Sequence, residues 1–155
     1  DLRLSGKPVL VTGGGSGIGR ATALFAARHG AAVGVGDRDA AAAEAVAAEI
    51  AQVGGKSIAL AFDVIDEPAT EAALDKLSAT FGPIRGLVAC AGISRPAATA
   101  DMTDEIWDLV IGVNLTGVFQ CCQSAGRRMI AEGGGSIVTI GSTAALGGHA
   151  GRAHY

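Results

Sequence analysis

The chain has 155 residues, of which 49% are hydrophobic and 17% charged, with a formal net charge of −3. That length suits one domain burying about 70% of its unfolded surface, and the acidic balance excludes a general attraction to nucleic acid or to an anionic membrane. So low a charge fits buried strands and suggests that another subunit covers part of the surface; no apolar run reaches the roughly 18 residues of a membrane span, and the N-terminal stretch DLRLSGKP has no apolar signal core.

In chain order, Val9, Leu10 and Val11 form an unbroken apolar run, as expected of a parallel strand buried on both faces. Thr12 and Gly13 end it. Gly13, Gly14, Gly15, Gly17 and Gly19 then crowd a turn, and Ile18 onward reads as helix to about His29. Within that helix Ile18, Ala21, Thr22, Phe25 and His29 recur at spacings of three and four, marking one face. Gly30 stops it. Residues 32–36 (AVGVG) read as a second buried strand, followed by Asp37. Asp39 caps an alanine-rich helix over residues 40–53. Residues 57–62 (SIALAF) are the third strand, ended by Asp63. Pro68 falls in the first turn of the next helix, where its missing N–H costs little. Gly82 and Pro83 end that helix. Residues 84–90 are the fourth strand, 93–102 a loop, and Thr103 the cap of one long helix to about Glu132. Its face runs through Ile106, Val110, Val113, Gly117 and Cys121. Gly133–Gly135 end it, and residues 136–141 are the fifth strand. Cys90, Cys121 and Cys122 have neither a disulfide framework nor a zinc spacing. They read as free thiols in a reducing cytoplasm, with no metal site.

Strands alternating with helices imply right-handed crossovers and an α/β, doubly wound parallel sheet. The expected strand order is 3-2-1-4-5, a Rossmann fold, with ligands at the carboxyl ends of strands one and four, where the order reverses.

The first strand, its glycine turn and the following helix read as a pyrophosphate seat. A helix beginning on such a turn offers free N–H groups and a positive dipole end to phosphate. The pattern is TGxxxGIG, through Thr12, Gly13, Gly17, Ile18 and Gly19, with Ser16 before Gly17. It lacks the GK[ST] ending of a triphosphate loop. Asp37 lies 18 residues after Gly19, where an acidic residue would bind the adenosine ribose hydroxyls. Its charge would repel a 2′-phosphate, and the uncharged Ser16 offers none a cation, so NAD is favoured over NADP. Arg38 is a counter-signal, since it could turn toward a phosphate. Asp63 suits either a bond to the adenine amino group, with Val64 beside the ring, or a helix cap. Cys90, Ala91 and Gly92 would let a ribose or nicotinamide approach the backbone, or would simply turn the chain. On spacing alone, Asn114 reads as a satisfied amide, Ser142 as a cap and Tyr155 as a packed aromatic.

Taken together, these stretches are similar to the main subgroup of the short-chain dehydrogenase/reductase family. The match runs from end to end: TGGGSGIG at 12–19, Asp63-Val64, CAG at 90–92, EIWDLVIGVNLTGVF at 105–119, and IVTIGS at 137–142 with Tyr155. The resemblance implies an enzyme moving hydride between NAD(H) and a secondary alcohol or ketone. It implies Tyr155 as general acid/base, Ser142 holding the substrate oxygen, and Asn114 anchoring a water in a proton relay. A lysine four residues after the tyrosine would act with them. A free phenol ionises well above neutrality, and a nearby ammonium and the nicotinamide cation would favour its anion. The family usually has Asn where Cys90 stands. Residues 1–155 read as a single NAD(P)-binding domain. The activating lysine, the last strands and the substrate loop are expected beyond residue 155, in a longer native protein. His149 and His154 read as structural or pocket-lining. The expected protein is cytoplasmic, a homodimer or homotetramer pairing its long helix across a two-fold axis. The rival readings are an NADPH-linked 3-oxoacyl-thioester reductase and a non-catalytic NAD(H)-binding relative.

Overall fold

The structure, a computed structural model, describes residues 4–155. Asp1–Arg3, the start of the N-terminal stretch read as lacking a signal core, lie outside the described residues. Five parallel strands form one sheet: β1 (Pro8–Thr12), β2 (Ala32–Asp37), β3 (Lys56–Ala61), β4 (Gly86–Ala89) and β5 (Ser136–Thr139). Their order is β3-β2-β1-β4-β5, as the alternation of elements predicts. The crossovers run through α1 (Gly17–Arg28), α2 (Ala40–Gln52), α3 (Glu67–Phe81), α4 (Asp104–Ile111) and α5 (Val118–Ala131).

The pleat of β1 sorts the core into two layers. Val9 and Val11 face one way and pack with Val33, Val35, Val46 and Ile50, under α1 and α2. Leu10 faces the other way and packs with Leu74, Leu77, Leu87 and Met129, under α3 and α5. Leu10, Leu74, Leu77 and Leu87 are fully buried, each stabilising the fold by roughly 1.5–3 kcal/mol. No helix of the described residues is long and apolar enough to cross a membrane.

Three expectations about the helices are corrected. The face of α1 marked by Ile18, Ala21, Thr22, Phe25 and His29 is the outer one; Ile18 and Phe25 are exposed, and the Phe25 and His29 rings stand 4.5 Å apart. The buried residues of α1 are Gly19, Ala23, Ala26 and Ala27. Small residues win because the helix starts hard against the turn: a Cβ on Gly19 would lie 2.0 Å from the Gly13 carbonyl oxygen. The long helix after Thr103 is not continuous α-helix. Gly112–Gly117 form a π-helical turn between α4 and α5, a local widening often found at functional sites. The face through Val110, Val113, Gly117 and Cys121 is nevertheless buried. Finally, α3 is capped by Asp66, whose carboxylate accepts from the Ala69 amide at 3.0 Å, so the cap alternative for Asp63 falls.

Candidate active site

The carboxyl ends of β1, β2 and β4 open into a cleft of about 790 Å³. It is lined by Gly13, Ser16, Gly17, Ile18 and Gly19 from the glycine turn, and by Asp37 and Arg38 from the end of β2. Asp63 and Val64 follow β3, and Cys90, Ala91 and Gly92 follow β4. Asn114, Ser142 and Tyr155 complete it, so all the candidate site residues border one cleft.

The turn is shaped for a group lying against the backbone. Gly17 has φ +52°, a left-handed conformation at the start of α1, and a Cβ there would meet only open space. Ser16 occupies the cap position of α1, yet its side chain makes no capping bond. The first amides of α1 therefore have no side-chain acceptor from Ser16 and suit an anion.

Asp37 is held from two sides. Oδ2 accepts from the Gly15 amide and Oδ1 from the Asp39 amide, each at 3.0 Å. Each carboxylate oxygen retains accepting capacity, the arrangement needed for a pair of vicinal hydroxyls. Arg38 beside it is exposed. Asp63 accepts from the Ile65 amide at 3.2 Å in a local turn, and Val64 is buried against the core. The Cys90 thiol, half-buried, is pushed up from its usual pKa by burial, which disfavours the thiolate.

Asn114 stands in the π-helical turn and is tied through both arms of its carboxamide to one residue. Its Oδ1 accepts from the Ile93 amide at 2.8 Å, and its Nδ2 donates to the Ile93 carbonyl at 2.9 Å. The carboxamide thus fastens the loop after β4 to the helix, and one Nδ2–H is left for another acceptor. Ser142 follows β5 and its Oγ accepts from the Ala144 amide at 3.1 Å. Tyr155 is half exposed, with the Arg152 guanidinium 5.6 Å from its ring centre. Residues 149–155 form hydrogen-bonded turns, through Arg152 N–His149 O and Tyr155 N–Arg152 O.

Thr12 opens the TGxxxGIG pattern, but the motif assigned its side chain no role. It is buried, and its Oγ1 accepts from the amides of Cys90 and Ala91 at 3.1 and 3.2 Å. One hydroxyl thereby fixes the tips of β1 and β4 across the mouth of the cleft. A threonine ending a strand before a glycine turn was the only signal available. Phe62, Ile93, Val118 and Ile140 supply apolar lining that sequence spacing did not single out, joined by Val113 from the helical face that it did.

This is the architecture of a dinucleotide-binding α/β domain: a glycine turn under a helix end, a carboxylate closing the next strand, and a crevice where the strand order reverses. The family model described as short chain dehydrogenase matches residues 7–155, and the chain belongs to that family. It is 43% identical over 145 residues to the D-threitol dehydrogenase of Mycolicibacterium smegmatis, covering 94% of this chain and 56% of that protein. It is 40% identical over 164 aligned residues to the (3R)-3-hydroxyacyl-CoA dehydrogenase of Rattus norvegicus, covering 100% of this chain and 63% of that protein. A 3-oxoacyl-(acyl-carrier-protein) reductase of Thermotoga maritima is 38% identical over 154 residues, with 99% and 63% covered. The chain thus spans about three fifths of the length of these curated relatives.

Proposed function

We propose that this protein is an NAD-linked oxidoreductase acting on a hydroxyl or keto group of a small molecule, a secondary alcohol or the matching ketone. The observation that carries this reading is that one cleft is bordered both by the glycine turn with Asp37 and by Ser142 with Tyr155. The three relatives are named for D-threitol, (3R)-3-hydroxyacyl-CoA and a 3-oxoacyl carrier protein, each bearing a hydroxyl or keto group.

In this reading the amides at Gly13, Ser16, Gly17, Ile18 and Gly19 would hold the pyrophosphate. Asp37 would take the adenosine ribose hydroxyls, and Asp63 with Val64 the adenine. Cys90, Ala91 and Gly92 would bound the second ribose and nicotinamide. Bound nicotinamide supplies or accepts the hydride. The chain's own residues handle the proton and the orientation. The Tyr155 phenol gives or takes a proton at the substrate oxygen, and the Ser142 hydroxyl holds that oxygen in place. The remaining Nδ2–H of Asn114 anchors a water that relays the proton.

NAD is favoured because the Asp37 carboxylate would repel a 2′-phosphate. Arg20, a cation beside the turn, is engaged with Glu49 at 2.6 Å. Arg38, exposed and bordering the cleft, favours the second reading, an NADPH-linked 3-oxoacyl-thioester reductase. The exposed Trp107, Leu115 and Phe119 on α4, the π-helical turn and α5 support pairing of this helical face in a homodimer or homotetramer. The free Cys90, Cys121 and Cys122 fit a cytoplasmic setting.

Fluorescence titration with NADH and NADPH, followed by coupled oxidation and reduction of an alcohol and ketone panel, tests the reading. Tighter binding of NADH and turnover on the panel are expected. Tighter NADPH binding would overturn the Asp37 argument, and binding without turnover would leave a non-catalytic relative.

A further inference from the structure

We infer that His154 is a positioning residue for Tyr155: its buried imidazole latches segment 149–155 onto the loop after β4 and so sets where the phenol stands. The inference rests on the role proposed for Tyr155.

Four buried polar residues stand in the described core: Thr12, Thr70, Ser124 and His154. His154 is only 4% exposed, although both its chain neighbours are exposed. Its Nε2 lies 2.9 Å from the Arg95 carbonyl oxygen. A carbonyl only accepts, so Nε2 must carry the proton and donate. Nδ1 is buried with no partner among the described residues, so the ring is committed to this one bond. Burying a histidine for a single main-chain carbonyl is costly, and a leucine would fill the same space without that cost. The ring therefore does something that packing alone does not.

A second tie runs parallel to it. The Ala97 amide donates to the Gly151 carbonyl at 3.0 Å. Segment 149–155 is thus fastened to the loop at Arg95 and at Ala97. The same loop is fastened at Ile93 to the π-helical turn by both arms of Asn114. Residues 93–97 therefore form a bridge gripped at both ends, and Tyr155 is placed relative to Asn114 through it. The turn closed by Tyr155 N–Arg152 O at 3.1 Å sends adjacent side chains apart. His154 goes into the protein, and Tyr155 goes to the cleft. Loss of the latch leaves the phenol attached but free to shift, and a shift of about 1 Å at a reacting group can cost 10²-fold in rate.

The test uses the full-length protein, with His154→Ala and His154→Gln. Glutamine places an amide N–H where Nε2 stood. For His154→Ala, kcat falls about 10- to 100-fold while the NADH Kd stays near the wild-type value. His154→Gln recovers most of the loss, and amide exchange at residues 95–97 and 153–155 quickens in the alanine variant only. If His154→Ala does not fold, His154→Leu replaces it. Wild-type turnover in the alanine or leucine variant overturns the latch, as does unchanged exchange or a glutamine variant no better than alanine. If wild-type protein itself turns nothing over, the hydride-transfer reading fails instead, and the exchange measurement alone decides the latch.

Discussion

The Gly15 amide donates to Oδ2 of Asp37 at 3.0 Å, tying the glycine turn to the end of the neighbouring strand. The carboxylate is thereby oriented before any sugar arrives, and the tie leaves no room for a side chain at Gly15. A Cβ there would lie 2.7 Å from the Ala42 Cβ and 2.9 Å from Oδ2 itself. The φ of Gly15 is not in the left-handed region, so the constraint is one of space.

Gly15→Ala should therefore weaken NADH more than NADPH, because it displaces the carboxylate proposed to select an unphosphorylated ribose. About a tenfold rise in the NADH Kd is expected, since a hydrogen bond to a charged group contributes roughly 1.5–3 kcal/mol. Asp37→Ala should do the same and narrow the preference further. Fluorescence titration with the two cofactors measures both, and an unchanged ratio in both variants would remove Asp37 from cofactor choice.

Tyr155→Phe deletes only the phenol oxygen at the edge of the cleft. Turnover should fall by about 10²–10⁴-fold, the usual contribution of a positioned acid or base. NADH binding should stay within about twofold, because the proposed nucleotide contacts lie elsewhere along the cleft. Steady-state kinetics beside a binding titration separates the two, and full turnover in the variant excludes the phenol from the chemistry.

Arg128 clamps α5 to α3. It pairs with the Glu71 carboxylate, and its Nη2 reaches Asp75 Oδ1 at 2.5 Å. A hydrogen bond from Ser124 holds the Glu71 carboxyl below the usual carboxylate range, with burial opposing and Arg128 assisting. A lowered folded value means stability that is present above the ordinary carboxylate range and lost as pH falls through the lowered value. Arg128→Met should cost about 1 kcal/mol at neutral pH, a modest figure because the pair is partly exposed. Glu71→Gln should flatten the acid limb of stability. Urea denaturation at pH 7 and in mild acid checks both, and an acid limb as steep in Glu71→Gln as in the parent would exclude Glu71 as its source.

The thiols should be slow to alkylate. Burial pushes Cys121 up to about 11 and also raises Cys90 and Cys122. At pH 7.5 little thiolate is present at any of them, and Cys121, fully buried, should label last. Saturating NADH should protect Cys90, which borders the cleft, and leave Cys122 unchanged. Mass mapping of iodoacetamide adducts measures this, and Cys90 labelling that ignores NADH would place the nicotinamide half away from β4.

Much of the protein was legible because it rests on local chemistry. Alternating apolar runs and alanine-rich stretches, punctuated by glycine, set five strands and the helices between them. Right-handed crossovers, with the TGxxxGIG turn and Asp37, pointed to the order 3-2-1-4-5 and to a cleft where it reverses. The capping of α2 by Asp39 and of α4 by Thr103 was equally local.

What the chain's pattern alone did not decide depends on how elements approach one another. Periodicity found an apolar stripe on α1, but the sheet took the small-residue face, because the helix start is pressed against Gly13. Helical spacing gave no sign of the π-helical turn, which brings Asn114 to the amide and carbonyl of Ile93, 21 positions earlier. Thr12 and His154 matter through main-chain groups far away in sequence, Cys90 and Arg95. A backbone amide or carbonyl looks the same at every residue, so composition and motif carry no record of which one a side chain will find. Local propensity and turn chemistry were thus enough for the architecture and the outline of the cleft. The hydrogen bonds that orient its residues exist only once distant segments have packed.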